Sequence, residues 1–193
     1  MILWANGPTC ESQGQRPWNR CAVRYLSIQC PNGANYGSVW SGAMPQSLSN
    51  VLVHLVFSTK NREPLIREAI ETELHPYATT VLKNFGFPTI ALNGTADHVH
   101  VLFNLSRVKA IADLVENLKT STSKWIKSKG PNFSNFHWQT GYGAFSVSQS
   151  KVNEVVAYID SQKAHHAQRS FQDEFRALLR KHAVEFDERY VWD

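Results

Sequence analysis

Asp97-His98-Val99-His100-Val101-Leu102-Phe103 alternates between two kinds of side chain. Successive residues of a strand point to opposite faces, so Val99, Val101 and Phe103 share one face and His98, His100 and Leu102 share the other. The apolar face must be buried, which fixes the register of the strand. A second stretch alternates in the same way: Val51, Val53, Leu55 and Phe57 fall on one side, and Leu52, His54 and Val56 on the other. The polar, basic run Ser58-Thr59-Lys60-Asn61-Arg62 ends it. Two strands of this kind need a sheet, and the segments around them decide which sheet.

Between the two strands, Leu65 to Asn84 reads as a helix, with Leu65, Ile66, Ile70, Leu74, Val81 and Leu82 at helical intervals and Pro76 as an expected bend. Thr89-Ile90-Ala91-Leu92 reads as a short strand closed by the hairpin dipeptide Asn93-Gly94. After the histidine strand, Ser106 is a candidate N-cap for a helix that turns Ile111, Leu114, Val115 and Leu118 inward. Gly130-Pro131-Asn132 stops that helix. Phe136 to Ser148 reads as strand, loop, strand around Gly141-Tyr142-Gly143. A third helix is expected from Ser150 to Gln168 and a fourth from Gln172 to His182. The order β-α-β-β-α-β-α predicts an α+β fold: a ferredoxin-like, RRM-like antiparallel sheet with helices on one face. The other face would be free for a ligand.

The 193 residues are 42% hydrophobic and 19% charged, enough apolar material for a packed core. No apolar run approaches the length of a membrane span. The net charge of +4 is compatible with nucleic acid without indicating it. Composition changes near residue 44. All three cysteines (Cys10, Cys21, Cys30), three of the six tryptophans and five of the ten glycines precede it, whereas no lysine, histidine or aspartate does. The expected organisation is therefore an irregular N-terminal extension, residues 1–43, and a domain over 44–193. On this reading Met44 is the natural start, and removing residues 1–43 leaves folding and activity intact.

Two constellations carry chemistry. His98 and His100 stand roughly 6.5–7 Å apart at the backbone on one strand face, so their imidazoles can converge on one ion. Neutral imidazole suits Zn²⁺ or Mn²⁺, while Mg²⁺ prefers oxygen. On the third helix Val152, Val155, Val156 and Ile159 form the buried stripe. Tyr158 and Gln162, four residues apart, stack on one flank. A tyrosine hydroxyl can attack phosphorus and hold a covalent phosphoester. Gln162, one turn away, can offer an oxygen to the same ion. The structural alternatives are half-buried histidines and a tyrosine at the rim of the core.

Together the constellations resemble the HUH single-tyrosine transposases of minimal single-strand insertion sequences. The resemblance extends over most of residues 51–192. It takes in Val56-Phe57-Ser58-Thr59-Lys60-Asn61-Arg62, Asp97-His98-Val99-His100, Ser123-Lys124-Trp125-Ile126, Trp138-Gln139-Thr140-Gly141-Tyr142-Gly143-Ala144-Phe145-Ser146, Tyr158-Ile159-Asp160-Ser161-Gln162 with His165-His166, and Tyr190-Val191-Trp192. The extension at the front is the main departure. The resemblance implies an HUH endonuclease-type fold and a metal-dependent enzyme that cuts and rejoins single-stranded DNA bearing hairpins at insertion-sequence ends. It implies Tyr158 as the nucleophile forming a 5′-phosphotyrosine. His98, His100 and Gln162 would hold a divalent metal, Mg²⁺ or Mn²⁺. It further implies a homodimer, with the tyrosine helix of one subunit completing the other's site, and a cytoplasmic, nucleoid-associated location in a bacterium or archaeon.

Other residues carry two readings each. Lys60, Arg62, Lys119, Lys124 and Lys127 are candidate phosphate contacts or a solvated surface. His54 flanks the site or is a structural histidine, and His165-His166 lie near the metal or the DNA without being assigned as ligands. Trp125 and Trp138 pack in the core or stack on bases. Two further functions stand beside the transposase: a domesticated relative that binds hairpin nucleic acid without cutting, and a metallohydrolase whose nucleophile is water.

Overall fold

The computed structural model describes residues 48–166 and 169–192. The change of composition near residue 44, the three cysteines and the extension over 1–43 lie outside the described residues.

Four strands form one antiparallel sheet: β1 (Leu52–Ser58), β2 (Thr89–Gly94), β3 (His98–Asn104) and β4 (Gly143–Val147), in the order β2-β3-β1-β4. That is the ferredoxin-like order, with the two alternating strands at its centre. Their register pairs Ser58 with His98, Val56 with His100 and His54 with Leu102. The alternation sorts the faces as the sequence predicts. Val53, Leu55, Phe57, Val99, Val101 and Phe103 are buried against α1 (Glu68–Asn84) and α2 (Ile111–Lys127). Ile70, Leu74, Ala78 and Leu82 come from α1, and Leu114, Val115, Leu118 and Ile126 from α2. Trp125 and Trp138 belong to this layer. Trp125 stacks on Tyr77, and Trp138 packs edge-on against Phe57 and Phe136.

The second face of the sheet is not left free. There β1 and β4 carry Val56 and Phe145 into a smaller apolar cluster with Phe171, Phe175 and Leu179 of α5 (Phe171–Lys181), flanked by Phe186, Val191 and Trp192. A Cβ on Gly143 would meet the Phe175 ring at 2.6 Å, so the absent side chain is what lets α5 lie close on β4. Phe171, Glu174, Phe175, Leu178 and Leu179 recur at helical spacing, and Ser170 caps the helix by accepting the Asp173 N–H at 3.2 Å.

Several local expectations shift. The α1 helix starts at Glu68 and runs through Pro76 unbroken. The turn between β2 and β3 is not Asn93-Gly94, which pair with His100 and Val99, but the next three residues, closed by the Thr95 N–H on the His98 carbonyl at 2.9 Å. Gly94 is needed there because a Cβ would collide with that carbonyl. Ser106 accepts from Val108 in the preceding turn, while Asp113 accepts the Ala110 N–H at the start of α2. The segment before β4 contributes an isolated bridge from Trp138 to Thr59 rather than a strand. The reason is Lys119, whose ammonium takes the carbonyls of Gln139 and Gly141 at 2.8 and 2.7 Å and holds that chain as a loop.

The expected Ser150–Gln168 helix divides into α3 (Val152–Asp160) and α4 (Gln162–His166), with Ser161 between them. The Asn93 side-chain amide donates to the carbonyls of both Ile159 and Asp160 at 3.0 Å. Two helical acceptors are thereby diverted to β2, and the helix yields at that point.

Candidate active site

The site lies on the second face of the sheet, where β3 meets α3, α4 and α5. His98 and His100 are fully buried, and the Nε2 atom of each has no hydrogen-bond partner. Their other nitrogens are occupied. His98 Nδ1 lies 2.7 Å from the Asp97 carboxylate and 2.8 Å from the Thr95 hydroxyl. His100 Nδ1 lies 2.9 Å from His54 Nε2, with the two rings stacked. This is how imidazoles are set for a metal: the far nitrogen is engaged, and the ring holds its Nε2 lone pair toward the ion. Burial opposes ionisation of Asp97, but hydrogen bonds from His98 and Thr95 carry its carboxyl below the ordinary value. Burial, then His100 beside it, pushes His54 down to about 3. Burial also holds His100 well below the ordinary histidine value. Both stay neutral, as ligation and its support require.

Tyr158, half-buried on α3, faces the same centre. Its ring lies edge-on to His100 at 5.9 Å and to His54 at 6.1 Å. Gln162, fully buried at the start of α4, has an unpartnered amide oxygen. Thus Tyr158, His98, His100 and Gln162 gather in one place within a single chain, although the helix carrying two of them is divided.

Sequence reasoning missed Glu174. This residue of α5 is 1% exposed. Its Oε1 accepts from the Tyr158 hydroxyl and, at 2.9 Å, from Gln162 Nε2. Its Oε2 lies 2.7 Å from His166 Nε2, 3.5 Å from His100 Nε2 and 3.7 Å from His98 Nε2. Burial pushes the Glu174 carboxyl up to about 7, with His98 pulling the other way. Burial and His98 lower His166 to about 4. His98, His100, His166 and Glu174 each offer a ligand atom, and these atoms lie within 4.8 Å of one another. A signal for Glu174 exists in the sequence: a carboxylate inside the otherwise apolar stripe Phe171, Phe175, Leu179. A charge at a core position needs a partner.

The basic candidates divide. Lys60 and Arg62 occupy the turn after β1, at the end of the sheet where Ser58 pairs with His98. Lys60 is exposed, whereas Arg62 donates to the Trp192 carbonyl at 3.4 Å and sits over its ring. Lys119, Lys124 and Lys127 ride on α2, on the opposite side of the sheet from the histidines. Burial draws Lys119 down to about 8, and its three donors already meet backbone carbonyls. Among the described residues no helix is long and apolar enough to cross a membrane.

A ferredoxin-like sheet with a buried histidine pair, beside Tyr158 of α3 and Gln162 of α4, matches the arrangement expected of the single-tyrosine HUH class. A family model described as "Transposase IS200 like" matches residues 47–162, and the chain belongs to that family. It is similar to the ISDra2 transposase TnpA of Deinococcus radiodurans, with 25% identity over 118 residues, covering 56% of this chain and 81% of that protein. Two solved structures are also similar, each with a TM-score of 0.49. One, from Deinococcus radiodurans, shares 23% identity over 60% of this chain and 93% of the other. The second, a REP-associated tyrosine transposase bound to a REP hairpin, shares 14% identity over 65% of this chain and 74% of the other.

Proposed function

We propose that this transposase cleaves and rejoins single-stranded DNA at insertion-sequence ends, with Tyr158 as the nucleophile. One observation carries the reading: in a chain of this family, the Tyr158 hydroxyl donates to Glu174, the carboxylate that also faces two buried imidazole nitrogens with no hydrogen-bond partner. As the bond from Tyr158 Oη to phosphorus forms, the bond from phosphorus to the 3′ oxygen breaks. The Tyr158 hydroxyl gives up its proton as it attacks, the electron pair departs with the 3′ oxygen, which takes up one proton as the free 3′-OH, and the 5′ side remains as a phosphotyrosine. The phosphoester keeps the energy of the cut bond, so attack by a 3′-OH reverses the step without a nucleotide cofactor.

The chain's own residues prepare this step. Glu174 and the ring contacts hold the hydroxyl in place, and burial of the cluster limits competition from water. Asp97 and His54 fix the imidazole orientations. His98, His100 and Gln162 have the donor set for a divalent cation, Mg²⁺ or Mn²⁺, which would polarise the phosphate and stabilise the leaving oxygen. On this reading Lys60 and Arg62 would contact phosphates beside the site and Lys124 and Lys127 more distant ones, while Lys119 is turned to the 139–141 loop. DNA hairpins as the recognised element, a homodimer as the working form, the domain beginning at Met44 and a cytoplasmic, nucleoid-associated location complete the proposal.

The test is a labelled single strand bearing a hairpin, incubated with protein and Mg²⁺ and run on a denaturing gel. A protein–DNA adduct is expected, and Tyr158→Phe should abolish it while DNA retention persists. Cleavage without an adduct would replace the reading with hydrolysis by water. Retention without cleavage would replace it with a binding protein.

A further inference from the structure

Glu174 is doubly engaged, and its two oxygens face different groups. Oε1 holds Tyr158 and Gln162; Oε2 faces the imidazole nitrogens of His98, His100 and His166. We infer that Glu174 is a carboxylate ligand of the divalent cation through Oε2, while Oε1 positions the nucleophile. This inference rests on the proposal that a cation binds at His98 and His100.

Geometry and charge support it independently. Two ligand atoms about 2.1 Å from an ion, at tetrahedral or octahedral angles, stand roughly 3.0–3.4 Å apart. Oε2 lies 3.5 Å and 3.7 Å from the two unpartnered Nε2 atoms, so a movement of a few tenths of an ångström brings it to ligand spacing from both. His98, His100 and Gln162 bring no negative charge, and all three are fully buried. A divalent cation held by neutral groups alone would lose much of its hydration with no charge to offset it. Asp97 is on the wrong side to help, since its carboxylate engages His98 Nδ1. Among the described residues, Glu174 is the carboxylate that faces both Nε2 atoms. A carboxylate also suits Mg²⁺ and Mn²⁺ better than a third imidazole does. On this account His166 holds Oε2 at 2.7 Å as a hydrogen-bonding partner.

The position of Glu174 has a consequence for the nucleophile. One rigid carboxylate joins the cation to the tyrosine, so placing the ion also places the hydroxyl. The link reaches from α5, well outside the histidine strand and the tyrosine helix.

The experiment measures Mn²⁺ binding to the full chain by titration calorimetry, with the visible spectrum of bound Co²⁺ as a second readout of coordination. Glu174→Gln keeps the shape and an oxygen while removing the charge. It should weaken Mn²⁺ binding by on the order of tenfold or more and change the Co²⁺ bands. Glu174→Ala should do the same, and serves if the glutamine variant fails to fold as judged by circular dichroism. Binding within twofold of the wild type, with unchanged Co²⁺ bands, overturns the inference and leaves the histidine site standing. Undiminished Mn²⁺ binding by a His98→Ala, His100→Ala double variant overturns the underlying metal reading instead.

Discussion

His54 sits at 3% exposure beneath His100, and its burial has a measurable effect on stability. Its pKa falls from 6.5 to about 3 in the folded protein, chiefly through burial. Between those values the unfolded chain holds a proton that the folded chain does not. Stability is therefore lost as pH falls through that window, at up to about 1.4 kcal/mol per pH unit for this one group. Above pH 6.5 both states are neutral and the effect vanishes. Glu174 acts in the opposite sense: with a folded pKa of about 7 against 4.5, its contribution is full below 4.5 and is lost as pH rises toward 7. Thermal melts of metal-free protein should show His54→Gln losing less stability than the wild type between pH 7.5 and pH 4.5. Parallel losses would mean that His54 is not held neutral. At this scale the sequence was informative for His98, His100, Tyr158 and Gln162, because alternation and a four-residue spacing are local patterns. It marked Glu174 only as a carboxylate in an apolar stripe that needs a partner, because no local rule says which histidine a buried carboxylate of a distant helix meets.

At the level of elements, the helix bearing Tyr158 is tied to the sheet by Asn93. The amide takes two carbonyls at the end of α3, at the break before α4. Asn93→Ala should cost about 1–2 kcal/mol through the lost hydrogen bonds. It should also raise hydrogen exchange over residues 152–166 more than over β1 and β3. An unchanged exchange pattern would show that α3 is held by its packing alone. The same contact explains why a single helix was expected where two were found. Periodicity in Val152, Val155, Val156 and Ile159 reports the local helix, whereas the competing donor lies 66 residues earlier. The Asn93-Gly94 turn was misplaced for a related reason. The dipeptide is a hairpin signal, but here Gly94 serves close packing against the His98 carbonyl, and the turn forms just beyond it.

Across the molecule, the sheet separates two chemistries. One face is packed by α1 and α2, and the other holds the histidines under α3, α4 and α5. Basic residues are divided between the layers, with Lys60 and Arg62 near the site and Lys124 and Lys127 on α2. If the α2 lysines contact DNA, charge reversal at either should weaken binding. It should also flatten the salt dependence by about 0.7–0.9 per lost phosphate contact. An unchanged slope would leave DNA binding to the side of the sheet that carries the histidines.

The sequence by itself determined the two central strands, their apolar faces and the ferredoxin-like order, and it singled out His98, His100, Tyr158 and Gln162. Those features depend on spacing within a few residues, which the backbone converts directly into direction. Only the tertiary structure decided that α5 closes over the second face and brings Glu174 to His98, His100 and Tyr158. It likewise decided that Asn93 divides the tyrosine helix, and that the Lys119 ammonium is taken up by carbonyls of the 139–141 loop. Each of these turns on which distant groups meet, and that is settled by the packing of whole elements against one another.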